Sequence, residues 1–154
     1  MTTVTPIDAI DGAFLVKPTI HGDERGIFLE TYRREWFPGR PEMVQSNRGD
    51  RQAGTVVGLH YHRFQADYWY VPYVRVVLFD IRDGSLTEGQ CWTSDLGVQP
   101  DGSHRHDGVY IPPGVGHGFA ALSDCTVSYQ VDQYYNPDDE LGVAWNDPGV
   151  TVDW

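Results

Sequence analysis

Punctuation constrains this chain more than any other feature. Runs of β-branched and aromatic residues recur along it, and each is soon cut by Gly, Pro, Asn or Asp; its 154 residues include seventeen Gly and ten Pro. Helix bundles do not tolerate that density of breakers, whereas short strands joined by turns require it. Residues 13–20, 26–32, 54–62, 67–81, 88–96, 107–113, 117–123 and 126–135 read as strands, with turns at 21–24, 82–85, 97–103 and 136–139. Residues 33–37 read as one helical turn stopped by Pro38 and Gly39. Pro72 interrupts the longest run and marks an edge or a bulge. Many short strands at this spacing predict an all-β sandwich or barrel, one domain over residues 1–154.

Charge narrows the function classes. The net charge is −11 and Lys17 is the only lysine. Neutralising a nucleic-acid backbone takes a basic stripe, so no nucleic-acid partner is expected. A nucleotide ligand stays open, because a few arginines can make a local pocket. No stretch approaches the roughly 20 apolar residues of a membrane span, and residues 1–12 lack the basic and apolar regions of a signal peptide. The expectation is a soluble cytoplasmic protein. Cys91 and Cys125 stand in no metal-like spacing and read as reduced thiols.

The stretch 54-GTVVGLHYHRFQAD-67 carries chemistry. On a strand, His60 and His62 share one face, with Val56 and Gly58 behind them. Asp67 follows after a turn, and 112-PPGVGH-117 adds His117. Three imidazoles and a carboxylate suit Fe, Mn, Ni or Zn. The arrangement resembles the cupin pattern of a Gly, five residues, H-x-H, four residues, a carboxylate and a distant P-x-G-x-x-H. It departs in having Asp67 where cupins usually have Glu. The pair 104-HRH-106 reads as an exposed loop. Tyr134 and Tyr135 close the last strand, one facing in and one out; an inward phenol can serve as a general acid.

Four segments together resemble dTDP-4-dehydrorhamnose 3,5-epimerases and related sugar epimerases, which are cupin-type double-stranded β-helix (jelly-roll) barrels. They are 23-DERGIFLETY-32, 45-QSN-47, 57-VGLHYH-62, and 115-VGHGFAALS-123 running into 129-YQVDQYYNPDDELGVAWNDPGVTVDW-154. Their order and spacing carry the resemblance from about residue 12 to the end. It implies nucleotide binding by Arg25 and Glu30, often across a dimer interface, with Gln45 and Asn47 lining the pocket. It implies His60 of G-L-H-Y as general base and the second Tyr of Y-Y-x-P, Tyr135, as general acid. His117 and Tyr129 would lie against the substrate. The implied reaction is proton abstraction beside the carbonyl of a dTDP-4-keto-6-deoxysugar or a similar keto compound, in deoxysugar or natural-product biosynthesis. It needs no cofactor, and the implied assembly is a homodimer with exchanged N-terminal strands.

The chain departs from that pattern in four places. The family's Arg before G-L-H is Val57, its Gln after H-Y is His62, and its Lys has no counterpart, with Asp67 near its place. The family's segment beyond I-D-W carries an Asp that orients the catalytic His, and this sequence stops at Trp154. Two other readings follow from these departures. One is a metal-dependent cupin enzyme (oxygenase, cyclase or isomerase) with His60, His62, Asp67 and His117 as ligands. The other is a cupin that binds without catalysis.

Overall fold

A computed structural model describes residues 1–70, 73–99 and 101–154, with Val98 described by its backbone alone; the expectation for Pro72 lies outside the described residues. The strands run in the order β1 (Thr3–Pro6), β2 (Phe14–Lys17), β3 (Ile20–Asp23), β4 (Gly26–Leu29), β5 (Gln45–Arg51), β6 (Val56–Tyr61) and β7 (Asp67–Tyr70). They continue as β8 (Val74–Asp80), β9 (Cys91–Val98), β10 (His104–Arg105), β11 (Gly108–Ile111), β12 (Val115–Ala121), β13 (Cys125–Val131) and β14 (Leu141–Gly142). Two 3-10 turns, Arg34–Trp36 and Pro137–Asp139, are the helical segments among the described residues, and none is long and apolar enough to cross a membrane.

Two six-stranded sheets face each other, in the orders β1-β2-β11-β7-β13-β5 and β10-β9-β8-β12-β6-β14. Every pairing among the described residues is antiparallel. Alternation assigns the faces. Trp69, Val74, Val76, Leu78, Val109, Ile111, Val115 and Phe119 point between the sheets and form the main core. Their odd-numbered or even-numbered neighbours point outward but are also covered. Tyr68 and Tyr110 pack under Phe37 and Val16 outside the first sheet. Val77, Phe79 and Leu59 pack under Val143, Val150, Val152 and Trp154 outside the second. Both sheets are thus buried on two faces, which explains why β8 reads as a nearly continuous apolar run rather than an alternating one.

Several boundaries differ from expectation. The polar stretch 45–51 is a strand, carried by its pairing with β13 rather than by its own propensity. The expected turn at 21–24 is mostly strand: β3 and β4 pair Asp23 with Gly26, so the reversal falls on Glu24 and Arg25. The run 67–81 divides into β7 and β8, with Tyr73 at φ 65° between them. Residues 104–105 form a two-residue strand on β9 rather than an open loop, and the ring of His106 meets the Tyr70 hydroxyl at 3.1 Å.

Strand β6 contains a bulge. His117 faces His60 and Phe119 faces Val57, so two steps on β12 span three on β6. The extra residue reverses the parity of β6: Val57, not Val56, shares the inward face of His60, and Val56 is exposed. Gly58 permits this. Its φ is +128°, and a Cβ there would sit 2.7 Å from the Gly118 Cα and 3.0 Å from the His117 oxygen.

Candidate functional site

The bulge, the start of β7 and the middle of β12 deliver four side chains to one point inside the barrel. The potential ligand atoms of His60, His62, Asp67 and His117 all lie within 4.8 Å of one another. His62, Asp67 and His117 are buried and His60 is partly buried. The His60 and His117 rings are 4.3 Å apart between centroids, edge to face. His62 stands one residue beyond β6, and the loop after it is clamped by Asp139. The Asp139 carboxylate accepts from the Arg63 and Phe64 amides, and its backbone oxygen meets His62 Nδ1 at 2.7 Å.

Hydrogen bonding sorts the imidazoles. His62 Nδ1 and His117 Nδ1 each lie against a backbone carbonyl, of Asp139 at 2.7 Å and of Val115 at 2.9 Å. A carbonyl accepts only, so in the neutral rings the proton sits on Nδ1 and the lone pair on Nε2. His117 Nε2 is buried without a hydrogen-bond partner among the described residues. Asp67, 3.7 Å from it, is too far for a hydrogen bond. Asp67 accepts instead from Gln65 at 2.8 Å and from the Trp69 indole at 2.9 Å. Burial disfavours charge on His60, His117 and Asp67. It lowers His60 and His117 each to about 3 and raises the Asp67 carboxyl. His60 and His117 are therefore neutral at physiological pH, and their contact with Asp67 is not a salt bridge.

An interior cavity of about 50 Å³ adjoins the cluster, walled by Gly49, Arg51, Val57, His60, Trp69 and Tyr129, among others. Trp69 stands between the histidines and Tyr129, with its ring centroid 5.3 Å from His117 and 6.2 Å from Tyr129. On β5, Gln45 donates to Asn47 at 2.8 Å, and Asn47 lies opposite Tyr129 in register. Gln45, Asn47 and Tyr129 thus gather on one side of the barrel wall, and burial raises the Tyr129 phenol.

The other expected residues lie elsewhere. Tyr134 and Tyr135 do not alternate in and out: β13 ends at Val131, and both phenols are exposed. The Asp132 carboxylate accepts from the Ala66 amide at 2.8 Å and turns the chain off the sheet before the tyrosines. Tyr135 rests on the rim, where its amide donates to Gln45 and its phenol is raised by a hydrogen bond with Glu140. Arg25 and Glu30 belong to the β3–β4 hairpin, which pairs with neither large sheet. There they are held by Asp23 and Arg33 respectively. Reading the sequence missed Trp69, Arg51 and Glu140. Alternation from Gln45 would have placed Arg51 inward had 45–51 been recognised as a strand.

A two-sheet antiparallel barrel with histidines pointing into one end is a cupin-type protein. The chain belongs to the dTDP-4-dehydrorhamnose 3,5-epimerase family, whose model matches residues 8–154. It is 35% identical to the dTDP-4-dehydrorhamnose 3,5-epimerase of Methanothermobacter thermautotrophicus, over 95% of this chain and 80% of that one. It is 37% identical to the dTDP-4-dehydrorhamnose 3-epimerase of Streptomyces niveus, over 94% of this chain and 72% of that one. The crystal structure of a dTDP-6-deoxy-D-glucose-3,5-epimerase from Legionella pneumophila, in complex with dTDP-4-keto-L-rhamnose, superposes with a TM-score of 0.87 at 31% identity; the match covers all of this chain and 84% of that one.

Proposed function

We propose that this single-domain chain is a sugar-nucleotide epimerase that removes the proton beside the carbonyl of a dTDP-4-keto-6-deoxysugar, in deoxysugar or natural-product biosynthesis. One observation carries the reading: His60, in the G-L-H-Y segment of an epimerase-family barrel, presents a neutral imidazole to the wall of an interior cavity. A neutral imidazole can take a proton, and a carbon acid next to a ketone can give one. Burial depresses the basicity of His60, and a nearby negative charge raises it. A diphosphate and a developing enolate both supply such charge, so the bound substrate itself improves the base. Tyr135 is the proposed acid. It sits on the rim beside Glu140 and must turn inward over the ligand to return the proton from the opposite face.

The enclosed cavity is too small for a whole nucleotide sugar, whose sites commonly span several hundred Å³. The nucleotide would extend over the rim, past Gln45 and Asn47. Arg25 and Glu30 would complete that rim from a second subunit. The hairpin that carries them exposes Ile20, Ile27 and Phe28, an apolar surface suited to a homodimer partner. A cytoplasmic setting, with both thiols reduced, accompanies this reading.

The test is to incubate the protein with a dTDP-4-keto-6-deoxysugar in D2O and to follow deuterium entering the ring carbons beside the carbonyl. Exchange that disappears in His60→Gln supports the reading. No exchange, together with no thermal shift at millimolar dTDP, overturns it.

A second reading rests on the orphaned His117 Nε2. With both Nδ1 atoms committed to backbone carbonyls, the Nε2 lone pairs of His62 and His117 and the carboxylate of Asp67 suit a divalent Fe, Mn, Ni or Zn ion. Among the described residues His60 has no such committed nitrogen, which leaves it either to join those ligands or to remain a base. A bound ion would supply Lewis-acid polarisation of a carbonyl. Elemental analysis of untagged protein checks this reading: well under one ion per chain, unchanged by His62→Ala, removes it.

A further inference from the structure

Arg51 has no part in the reaction as proposed, yet it reaches the cavity wall beside His60 and Tyr129. It ends β5, on the same face as Gln45, Asn47 and Gly49. Gly49 makes room for it. A Cβ on Gly49 would lie 2.8 Å from Arg51 Nη1 and 3.1 Å from both Cζ and Nη2, so the guanidinium lies folded back over a residue that has no side chain. Its one hydrogen bond among the described residues runs from Nη1 to the Asp50 backbone oxygen at 2.9 Å.

Of the three arginines with no carboxylate partner among the described residues, Arg40, Arg51 and Arg63, Arg40 lies over the Phe14 and Tyr110 rings and only Arg51 lines the interior cavity. Arg25, Arg33, Arg34, Arg48, Arg75, Arg82 and Arg105 each have a carboxylate partner within 4 Å. Arg51 has none among the described residues, in a chain with twice as many acidic as basic side chains. The neighbouring Asp50 carboxylate points to the opposite face, where Arg48 and Thr126 hold it. Val57, on the same cavity wall, offers no charge. A guanidinium that is half-buried and unpaired retains most of its capacity for a bidentate anion.

We infer that Arg51 is the diphosphate contact of this barrel, reaching from β5 to bind a phosphoryl oxygen of the ligand and so fixing where the sugar sits against His60. This rests on the nucleotide-sugar reading for the ligand's identity but not for the anion site itself. The guanidinium also edges an outer crevice walled by Asp50 and Asp124. Those carboxylates repel an anion, which leaves the inner side for the phosphate.

The test is calorimetric titration of dTDP, thymidine and inorganic pyrophosphate into wild type, Arg51→Met, Arg51→Lys and the relocated pair Arg51→Ser/Val57→Arg, each first shown to melt like wild type. The expected result is at least a tenfold loss of dTDP affinity in Arg51→Met, unchanged thymidine affinity, a smaller loss in Arg51→Lys and recovery in the relocated pair. Equal dTDP affinity in wild type and Arg51→Met overturns the inference, as does wild type that binds neither dTDP nor pyrophosphate. Pyrophosphate binding that depends on Arg51, with no dTDP binding, upholds the anion site and defeats the nucleotide-sugar reading instead.

Discussion

The histidine end of the barrel and the β3–β4 hairpin both carry residues that the family resemblance assigns to ligand binding, and the chain treats them in opposite ways. In the barrel, rotamers and tautomers are set before any ligand arrives. His62 and His117 are anchored through Nδ1, Asp67 is held by Gln65 and Trp69, and burial keeps His60 and His117 neutral. On the hairpin, Arg25 and Glu30 are solvent-exposed and each is engaged with a neighbour two or three residues away. Such pairs contribute little to stability, so they yield readily to another partner. The barrel provides preorganised chemistry, while the hairpin provides adaptable charge next to an apolar surface.

Substitutions can break this contrast, and the largest effect should come from the backbone beneath the site. Gly58→Val should cost about 3 kcal/mol or more, through a Cβ driven into β12 and a φ that a β-branched residue rarely adopts. Urea unfolding measures it, and a loss near zero would mean the bulge is easily remodelled. Next, His60→Gln should lower solvent proton exchange into the keto sugar by about 10³-fold while leaving the urea midpoint near that of wild type. A parallel loss of stability and activity would mark His60 as structural.

Acid should act on the barrel and spare the hairpin. His60 and His117 stay neutral down to about 3 when folded, whereas an unfolded histidine protonates near 6.5. Between those values the unfolded chain holds more protons, so stability is present above about 6.5 and is lost as pH falls toward 3. The raised Asp67 carboxyl acts in the opposite sense, gaining stability as pH falls through its folded value. Removing one imidazole removes its share of the acid loss while the carboxyl's opposite contribution stays. The change in urea midpoint on going from pH 7.5 to 5 should therefore be less destabilising in His117→Gln than in wild type, and an unchanged difference would show that His117 does not carry the pH dependence.

The smallest effects on stability belong to the hairpin. Phe28→Asp should convert a dimer to monomer in sedimentation without changing the melting of the subunit, since the ring is exposed in the single chain. Arg25→Ala should leave the urea midpoint where it is and, if the hairpin completes a partner's site, weaken dTDP binding. No change in either measurement would remove Arg25 from the binding surface.

Much of this was legible in the residues. The breakers and alternating runs carried the all-β architecture, and the spacing of His60, His62, Asp67 and His117 anticipated a cluster that closes to 4.8 Å. Less legible was anything that depends on pairing. Gln45–Arg51 has no apolar alternation and is a strand because β13 supplies its hydrogen bonds. Tyr134 and Tyr135 extend the run of β13 on paper, yet the carboxylate of Asp132 turns the chain away before them. The exchange of Val57 for Val56 behind His60 follows from one extra residue in β6, which only its partner strand can reveal.

By itself, then, the sequence determined the class of barrel, its family and which imidazoles could meet, because these follow from local periodicity and from spacing along one chain. Tertiary structure alone decided which nitrogen of His62 and of His117 keeps its lone pair, that burial holds His60 and His117 neutral, and that Arg51 turns inward over Gly49. Those properties depend on desolvation and on cross-strand neighbours, which arise only when segments distant in sequence are brought together.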